Sequence, residues 1–250
     1  TIGYYEDFAA IEAFEKVSEG GFFHDGTYST FRGRAHGHPV PAEVPNWRLV
    51  TFAQDHDQIG NRAAGDRLSQ SLPFDRLAAA AVLTLTAPGT PMLFMGEEWG
   101  ATTPWQFFTS HPEPELGEAT AKGRVAEFEK MGWDESVVPD PQDPETFHRS
   151  KLDWSELQGE DHALLLGLYR ELARLRRERP ELTDPSRTGL SARALDAAGG
   201  RVYELHRGDL VVVVNLSDAE AAVPVASGSG VLLATVEGTV LADGLLTVPA

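Results

Sequence analysis

Leu49-Val50-Thr51-Phe52-Ala53-Gln54-Asp55-His56-Asp57 and Pro91-Met92-Leu93-Phe94-Met95-Gly96-Glu97-Glu98 are built alike: each is a short, almost unbroken apolar run that stops in charge. An apolar run of this length without polar alternation is the pattern of a strand buried on both faces of a parallel sheet. Between the two, residues 74–86 carry helical apolar spacing, opened by Pro73 and Asp75 and closed by Pro88-Gly89. Strand, helix and strand in that order predict a β-α-β unit in an α/β fold. Active groups in such folds gather at the C-terminal ends of parallel strands, where loops vary over a rigid scaffold. Asp55, His56 and Asp57 close the first run and Glu97 and Glu98 the second, so these five are the first candidates for chemistry.

Working outward, Phe8, Ile11, Phe14 and Val17 recur at helical spacing and predict an amphipathic helix ended by Gly20 and Gly21. Residues 22–48 show no sustained period and read as an ordered loop. Beyond the second run, residues 100–160 read as a long excursion with one helix at about 118–131, rich in Pro, Trp, Phe and acids, a composition suited to facing substrate. Leu164, Leu165, Leu168, Leu172 and Leu175 mark one face of a strong helix. Its last turn holds Arg174, Arg176, Arg177 and Arg179, which complement the helix dipole before Pro180 stops it. After about residue 185 the texture changes to Val-rich runs at 201–206, 210–216, 220–226, 231–236 and 245–248, separated by turn residues. These predict a small antiparallel β module, with the domain boundary at 182/183.

Composition bounds the function. In 250 residues, 38 Asp and Glu outweigh 21 Lys and Arg, a net charge of −17 that repels phosphate backbones and anionic lipid surfaces. No nucleic-acid or membrane partner is expected. With 42% hydrophobic residues the chain can form a core. Without cysteine it has no disulfide, thiolate nucleophile or zinc–thiolate site. Apolar runs are too short to span a bilayer, so a soluble protein is expected. The chain opens Thr-Ile-Gly-Tyr-Tyr, without Met, and is expected to be a piece of something longer.

Acids at hydrophobic strand ends are costly to bury unpaired, which leaves two readings. One is a salt-bridge collar with Arg62, Arg67 and Lys122; the other is a carboxylate-based active site. Two facing carboxyl groups are what glycoside hydrolysis needs, and the residues alone would pair Asp57 with Glu98. Trp99, Trp105, Phe107 and Phe108 could stack on sugar faces, although each taken singly is better read as loop packing. A metal on Asp55, His56 and Asp57 is disfavoured because successive strand residues point to opposite faces. Asp140-Pro-Gln-Asp-Pro-Glu is acidic but lacks the central glycine of a calcium loop. Phosphate-loop, dinucleotide and nucleophile-elbow motifs are absent, and no cofactor or metal is expected.

Phe52-Ala-Gln-Asp-His-Asp-Gln-Ile-Gly-Asn-Arg62 resembles the fourth signature region of the α-amylase superfamily, glycoside hydrolase family 13, in which a His-Asp pair on the seventh barrel strand meets the bound glucose. Gly89-Thr-Pro-Met-Leu-Phe-Met-Gly-Glu-Glu-Trp-Gly100 resembles the strand-8 signature of that superfamily. Tyr28-Ser-Thr-Phe-Arg-Gly-Arg-Ala-His-Gly37, and Asp140-Pro-Gln-Asp with Phe147 to Trp154, resemble its trehalose-releasing branch. The resemblance implies the C-terminal part of a (β/α)8 TIM barrel, strands 7 and 8 with flanking helices, over residues 1–182. A small antiparallel β-sandwich then follows over 183–250.

The implied activity is retaining cleavage of the α-1,4 bond next to the terminal trehalose of maltooligosyltrehalose, in a bacterial or archaeal cytoplasm. Asp57 would be the transition-state stabiliser, and His56 would donate to a neighbouring sugar hydroxyl. Phe31 and Arg32 would shape the trehalose side, with Gln58, Glu97 and Glu98 on the binding rim. Asp55 stands where the family pattern has Asn. The family's nucleophilic Asp and general-acid Glu lie on strands 4 and 5, whose signatures are not in this chain. The family pattern therefore replaces the Asp57–Glu98 pairing, makes the rest of the same enzyme a partner, and predicts an inactive isolated chain. Another α-glucan enzyme, an amylase or branching enzyme, and a non-catalytic glucan-binding fragment are the alternatives.

Overall fold

The computed structural model describes residues 3–130, 137–197 and 199–250. The chain forms two compact units, one of Thr1–Thr51, Ala78–Met92 and Arg170–Ala250, the other of Phe52–Leu77 and Leu93–Tyr169. The α-helices among the described residues are α1 (Glu12–Gly20), α2 (His56–Gly60), α3 (Phe74–Thr86), α4 (Pro114–Lys130), α5 (Pro144–Arg149) and α6 (Glu160–Glu178). The predicted helices at 74–86, around 118–131 and around 164–175 are therefore present. The excursion also contains α5 and a 3-10 turn at Trp154–Gln158, and another 3-10 turn, Glu97–Trp99, precedes it. The end of the predicted helix at 118–131 lies outside the described residues.

In the first unit, β3 (Val50–Thr51) pairs in parallel with β4 (Thr90–Pro91), Val50 opposite Thr90 and Thr51 opposite Pro91. The Thr90 N–H donates to Leu49 O at 2.7 Å and the Met92 N–H to Thr51 O at 2.9 Å. The two apolar runs are thus a parallel pair, as expected, but only two residues of each enter the ladder. Met92, Leu93 and Met95 are 39%, 41% and 41% exposed. A two-stranded ladder lacks the neighbours that would extend pairing along each run.

Residues 22–48 are a correction. They contain an antiparallel hairpin, β1 (Asp25–Ser29) with β2 (Arg34–Gly37), its register shifted by a bulge between Asp25 and Tyr28. Its strands are mostly exposed, so no apolar alternation marks them. Side chains tie the hairpin instead: Lys16 Nζ donates to Asp25 at 2.9 Å, and the Thr30 N–H donates to Asp7 Oδ2 at 2.9 Å.

The C-terminal strands form two antiparallel sheets. One is β5 (Leu190–Leu195), β6 (Val202–Arg207) and β7 (Leu210–Asn215) in sequence order. The other runs β8 (Ala221–Pro224), β10 (Leu245–Val248), β9 (Val240–Ala242). Period two along β6 divides the core. Tyr203 and Leu205 pack with Ala192, Val214, Ile11 and the Ala79, Val82 and Leu83 face of α3. Val202 turns to the opposite side with Ala221 and Val223 of β8, joining the two sheets. The antiparallel module is thus as expected, with two corrections. No strand forms at 231–236, where Val231 and Leu232 are about half exposed, and β5 and β9 were not foreseen. Asp243 and Gly244, at φ 51° and 75°, supply the two left-handed residues that let β9 return directly as β10.

β5 is an edge strand, and α1 covers it. The outward N–H groups of Ala192 and Ala194 donate to Glu19 Oε1 at 2.9 Å and Glu15 Oε2 at 3.1 Å. Ser18 Oγ and Tyr203 Oη share a 2.6 Å hydrogen bond. Of the spacing read from Phe8 to Val17, only Phe14 and Val17 lie on α1, whose carboxylates also act on a sheet; Phe8 ends a 3-10 helix (Gly3–Phe8) and Ile11 is the N-cap.

Two arginines close α3. Arg176 donates to the carbonyls of Leu85 (2.9 Å), Ala87 (3.2 Å) and Gly89 (2.7 Å). Arg207, 4% exposed, donates to Thr86, Ala87, Leu182 and Asp184 carbonyls at 3.0 to 3.2 Å. Burial, and secondarily the charge of Arg176, push the Arg207 guanidinium down to about 10. These carbonyls lie at and just beyond the end of α3 and in the 182–184 segment, so replacing Arg207 or Arg176 by Met removes the side-chain donor from each of them except Ala87, which both arginines serve. Each substitution is expected to cost about 3 kcal/mol, read as a lower urea midpoint at unchanged slope.

Candidate active site

The candidate residues divide between the units. His56, Asp57, Gln58, Glu97 and Glu98 lie in the second; Phe31 and Arg32 lie in the first. The second unit brings the His-Asp pair onto α2. Asp55 is the N-cap in extended conformation, and its Oδ1 accepts the Gln58 N–H at 2.7 Å. Asp57 then falls in the first helical turn, where the macrodipole favours a negative charge. His56 Nε2 and Asp57 Oδ1 are 3.2 Å apart, both side chains largely exposed. The expectation that Asp57 closes a strand is corrected: β3 ends at Thr51, and the pair is presented by a capped helical turn. The Asp-for-Asn departure at 55 keeps the cap, since either side chain offers an acceptor oxygen.

The far end of α2 is held by a residue the sequence did not single out. Arg124, on α4 and 8% exposed, donates to Gly60 O and, at 3.2 Å, to Asn61 Oδ1. Its guanidinium lies 4.8 Å from the Phe107 ring centroid. A lone arginine on a helix carries no local signal of this role.

Glu97 is not at a rim. It is 5% exposed at the start of a 3-10 turn entered through Gly96 at φ 84°. A Cβ at Gly96 would stand 2.8 Å from both Ala101 Cβ and Leu152 Cδ2, so only glycine fits there. Glu97 Oε1 accepts the Tyr169 hydroxyl at 2.9 Å, and Oε2 accepts the Phe94 N–H at 3.1 Å. Burial raises the Glu97 carboxyl above its usual range, and these hydrogen bonds oppose the rise. Burial and the Glu97 charge raise the Tyr169 hydroxyl. Glu98 is half-buried and Gln58 exposed.

Of the proposed collar cations, Arg62 pairs with Asp66 at 2.5 Å and Lys122 with Glu118 at 3.6 Å. Arg67, 1% exposed, donates to backbone carbonyls instead, Thr103 at 2.6 Å and Met95 at 2.8 Å, with Phe94 beneath it. The aromatics also separate. Trp99 is 2% exposed and belongs to the core, against Trp154 at 5.0 Å. Trp105 and Phe108 lie in a ring series from Phe94 to Phe147, with centroids 5.1 to 5.4 Å apart. The acids of the 140–145 segment act locally: Asp140 accepts the Gln142 N–H and Asp143 caps α5. Among the described residues no three His, Asp or Glu side chains gather as a metal site.

In the first unit, Phe31 and Arg32 form the exposed tip of the β1–β2 hairpin, ring and guanidinium 5.9 Å apart. The Arg32 N–H donates to Ser29 Oγ at 3.3 Å.

The chain has the backbone of an α-amylase-type protein. It aligns over 98% of its length, at TM-score 0.80 and 30% identity, with 42% of a crystal structure assigned as an alpha amylase from Salmonella typhimurium. Residues 187–250 match a family described as a domain of unknown function, DUF3459. The chain is similar to proteins named malto-oligosyltrehalose trehalohydrolase, which bears out the sequence resemblance. The protein of that name from Brevibacterium helvolum is 59% identical over 98% of this chain, and the Mycobacterium tuberculosis one 45% identical over 96%. That of Saccharolobus solfataricus is 35% identical over 70% of the chain and 29% of its own length. The chain spans 41% of the length of the first two.

The cap gives a direct check. Asp55→Ala is expected to lower stability by about 1 kcal/mol through loss of the N-cap bond, and Asp55→Asn to stay within a few tenths, measured by thermal denaturation.

Proposed function

We propose that this chain is part of a retaining glycoside hydrolase that cleaves the α-1,4-glucosidic bond next to the terminal trehalose of maltooligosyltrehalose and releases trehalose. The observation that carries the reading is the exposed His56–Asp57 pair on a capped turn, in a chain 59% identical over 98% of its length to a protein named for that activity. In this reading residues 1–182 are the C-terminal part of a (β/α)8 barrel, with β3 and β4 as its last two strands. Residues 183–250 are the accompanying sandwich. The exposed apolar side chains of Val50, Met92, Leu93 and Met95 fit strands that gain further neighbours from the rest of the same protein. The neutral glucan needs no electrostatic steering, in keeping with the acidic balance of the chain. A cytoplasmic location belongs to the same proposal.

Asp57 would hold hydroxyls of the sugar at the reacting centre and favour positive charge as the oxocarbenium-like transition state develops. His56, 3.2 Å from it, would donate to an adjacent hydroxyl. Phe31 and Arg32 would contact the trehalose side, and Gln58 and Glu98 the rim. The nucleophilic Asp and the acid Glu would come from outside these 250 residues. The isolated chain is then expected to show no hydrolysis; measurable turnover by the purified fragment would contradict this.

The intact protein should release trehalose from maltooligosyltrehalose, followed by product chromatography. Glucose and maltose without trehalose would instead assign it to another α-glucan enzyme of the superfamily, and glucan binding without turnover to a binding protein. Asp57→Asn in the intact protein should lower kcat by roughly 10³-fold, from loss of an interaction that strengthens in the transition state. Unchanged turnover in that variant would sink the assignment of Asp57.

A further inference from the structure

We infer that Arg124 is a positioning residue for Asp57: its buried guanidinium fixes the C-terminal end of the short helix whose first turn carries the His56–Asp57 pair. The inference rests on Asp57 having the role proposed above.

A helix of five residues such as α2 cannot hold its own geometry, because the cost of its first turn is not recovered over so short a length. What grips its ends therefore sets where its side chains stand. The N-terminal end is capped from within, by Asp55. At the other end the Asn61 N–H donates to Asp57 O at 2.9 Å and the Arg62 N–H to Ile59 O at 3.0 Å. The Gly60 carbonyl is taken by a side chain instead: Arg124 Nη2 donates to it, while Arg124 Nη1 donates to Asn61 Oδ1 at 3.2 Å. One guanidinium thus spans the last residue of α2 and its C-cap.

The two ends of α2 differ in what surrounds them. Ile59 is 2% exposed, and a Cβ added at Gly60 would stand 3.6 Å from Trp105 Cδ1. Arg124 is buried beside them, its guanidinium against the Phe107 ring. His56 and Asp57, by contrast, face outward. The packed end is therefore the anchor and the open end carries the pair, with Gly60 only three residues after Asp57. Charge follows the same direction, since the macrodipole favours a cation at the C-terminal carbonyls and a carboxylate in the first turn. Burying a guanidinium costs hydration, and a methionine could pack the same stem without that cost. What methionine could not do is donate to two acceptors from one fixed plane. Displacements of about 1 Å at a reacting group can lower a rate by about 10²-fold, so a tie at Gly60 acts on kcat through Asp57.

The test uses the intact protein and maltooligosyltrehalose, with Arg124→Met, Asp57→Asn and the double variant compared, folding being checked by circular dichroism. Arg124→Met should lower kcat by about 10- to 100-fold with KM within about threefold, and in the double variant it should add nothing to the loss of Asp57→Asn. Wild-type kcat in Arg124→Met, a loss carried by KM instead, or losses that multiply in the double variant would overturn the inference. If Arg124→Met does not fold, Arg124→Lys keeps the stem and the charge but loses the planar pair of donors; it should lower kcat severalfold at unchanged KM, and wild-type kcat there overturns the inference equally. Asp57→Asn, run alone, separates the two failures. Impaired turnover there with wild-type kcat in Arg124→Met rejects the positioning role alone, whereas normal turnover there rejects the role of Asp57 on which it rests.

Discussion

Carbonyl groups that end a helix away from water must find donors, and around the end of α3 that requirement organises the first unit. The oxygens of Leu85, Thr86, Ala87 and Gly89 follow one another where the chain turns from α3 into β4, and their donors come from Arg176 and Arg207. A guanidinium suits the task because its N–H groups are fixed in a plane and can serve several acceptors together, where an ammonium on a flexible stem would not. Burial, and after it the charge of Arg176, lower the Arg207 guanidinium, while the negative end of a helix favours cations there. β4 consequently begins at a place set by residues far along the chain. Its pairing with β3 depends on the last helix and on the β module together.

This explains which elements were legible. α3 was readable because Pro73, Asp75 and Pro88-Gly89 bracket an uninterrupted apolar stretch, all of it local information. β6, β7 and β8 were readable because their apolar residues face a core. Residues 92–95 and the run 231–236 have strand composition without strand neighbours, and composition cannot supply a partner. β5 is the opposite case: Leu190-Ser-Ala-Arg-Ala-Leu195 reads weakly, and what makes it a strand is β6 on one side and two glutamates on the other. The β1–β2 hairpin is likewise fixed by Lys16 and Asp7 rather than by its own pattern.

At the candidate site the identities were legible and the geometry was not. The stretch from Gln54 to Arg62 marked His56 and Asp57, but their place on a capped turn follows from one hydrogen bond of Asp55. The acids Glu97 and Glu98 looked equivalent as neighbours in sequence. The turn entered at Gly96 separates them, directing the first inward to Tyr169 and leaving the second half-buried. Arg124 and Tyr169 were silent because their roles appear only when a distant backbone carbonyl or carboxylate is brought to them.

The glutamates on β5 have a consequence for how the molecule meets its neighbours. A sheet edge with free N–H groups invites another strand to add to it, and two copies of such an edge can propagate into an aggregate. Here the donors of Ala192 and Ala194 are occupied by charged acceptors, so an incoming strand would have to displace ion-like bonds and approach two like charges with its own carbonyls. The helix that looks like packing for the sandwich is also a stopper, ending the sheet at β5 and leaving the Ala192 and Ala194 donors closed to a second chain.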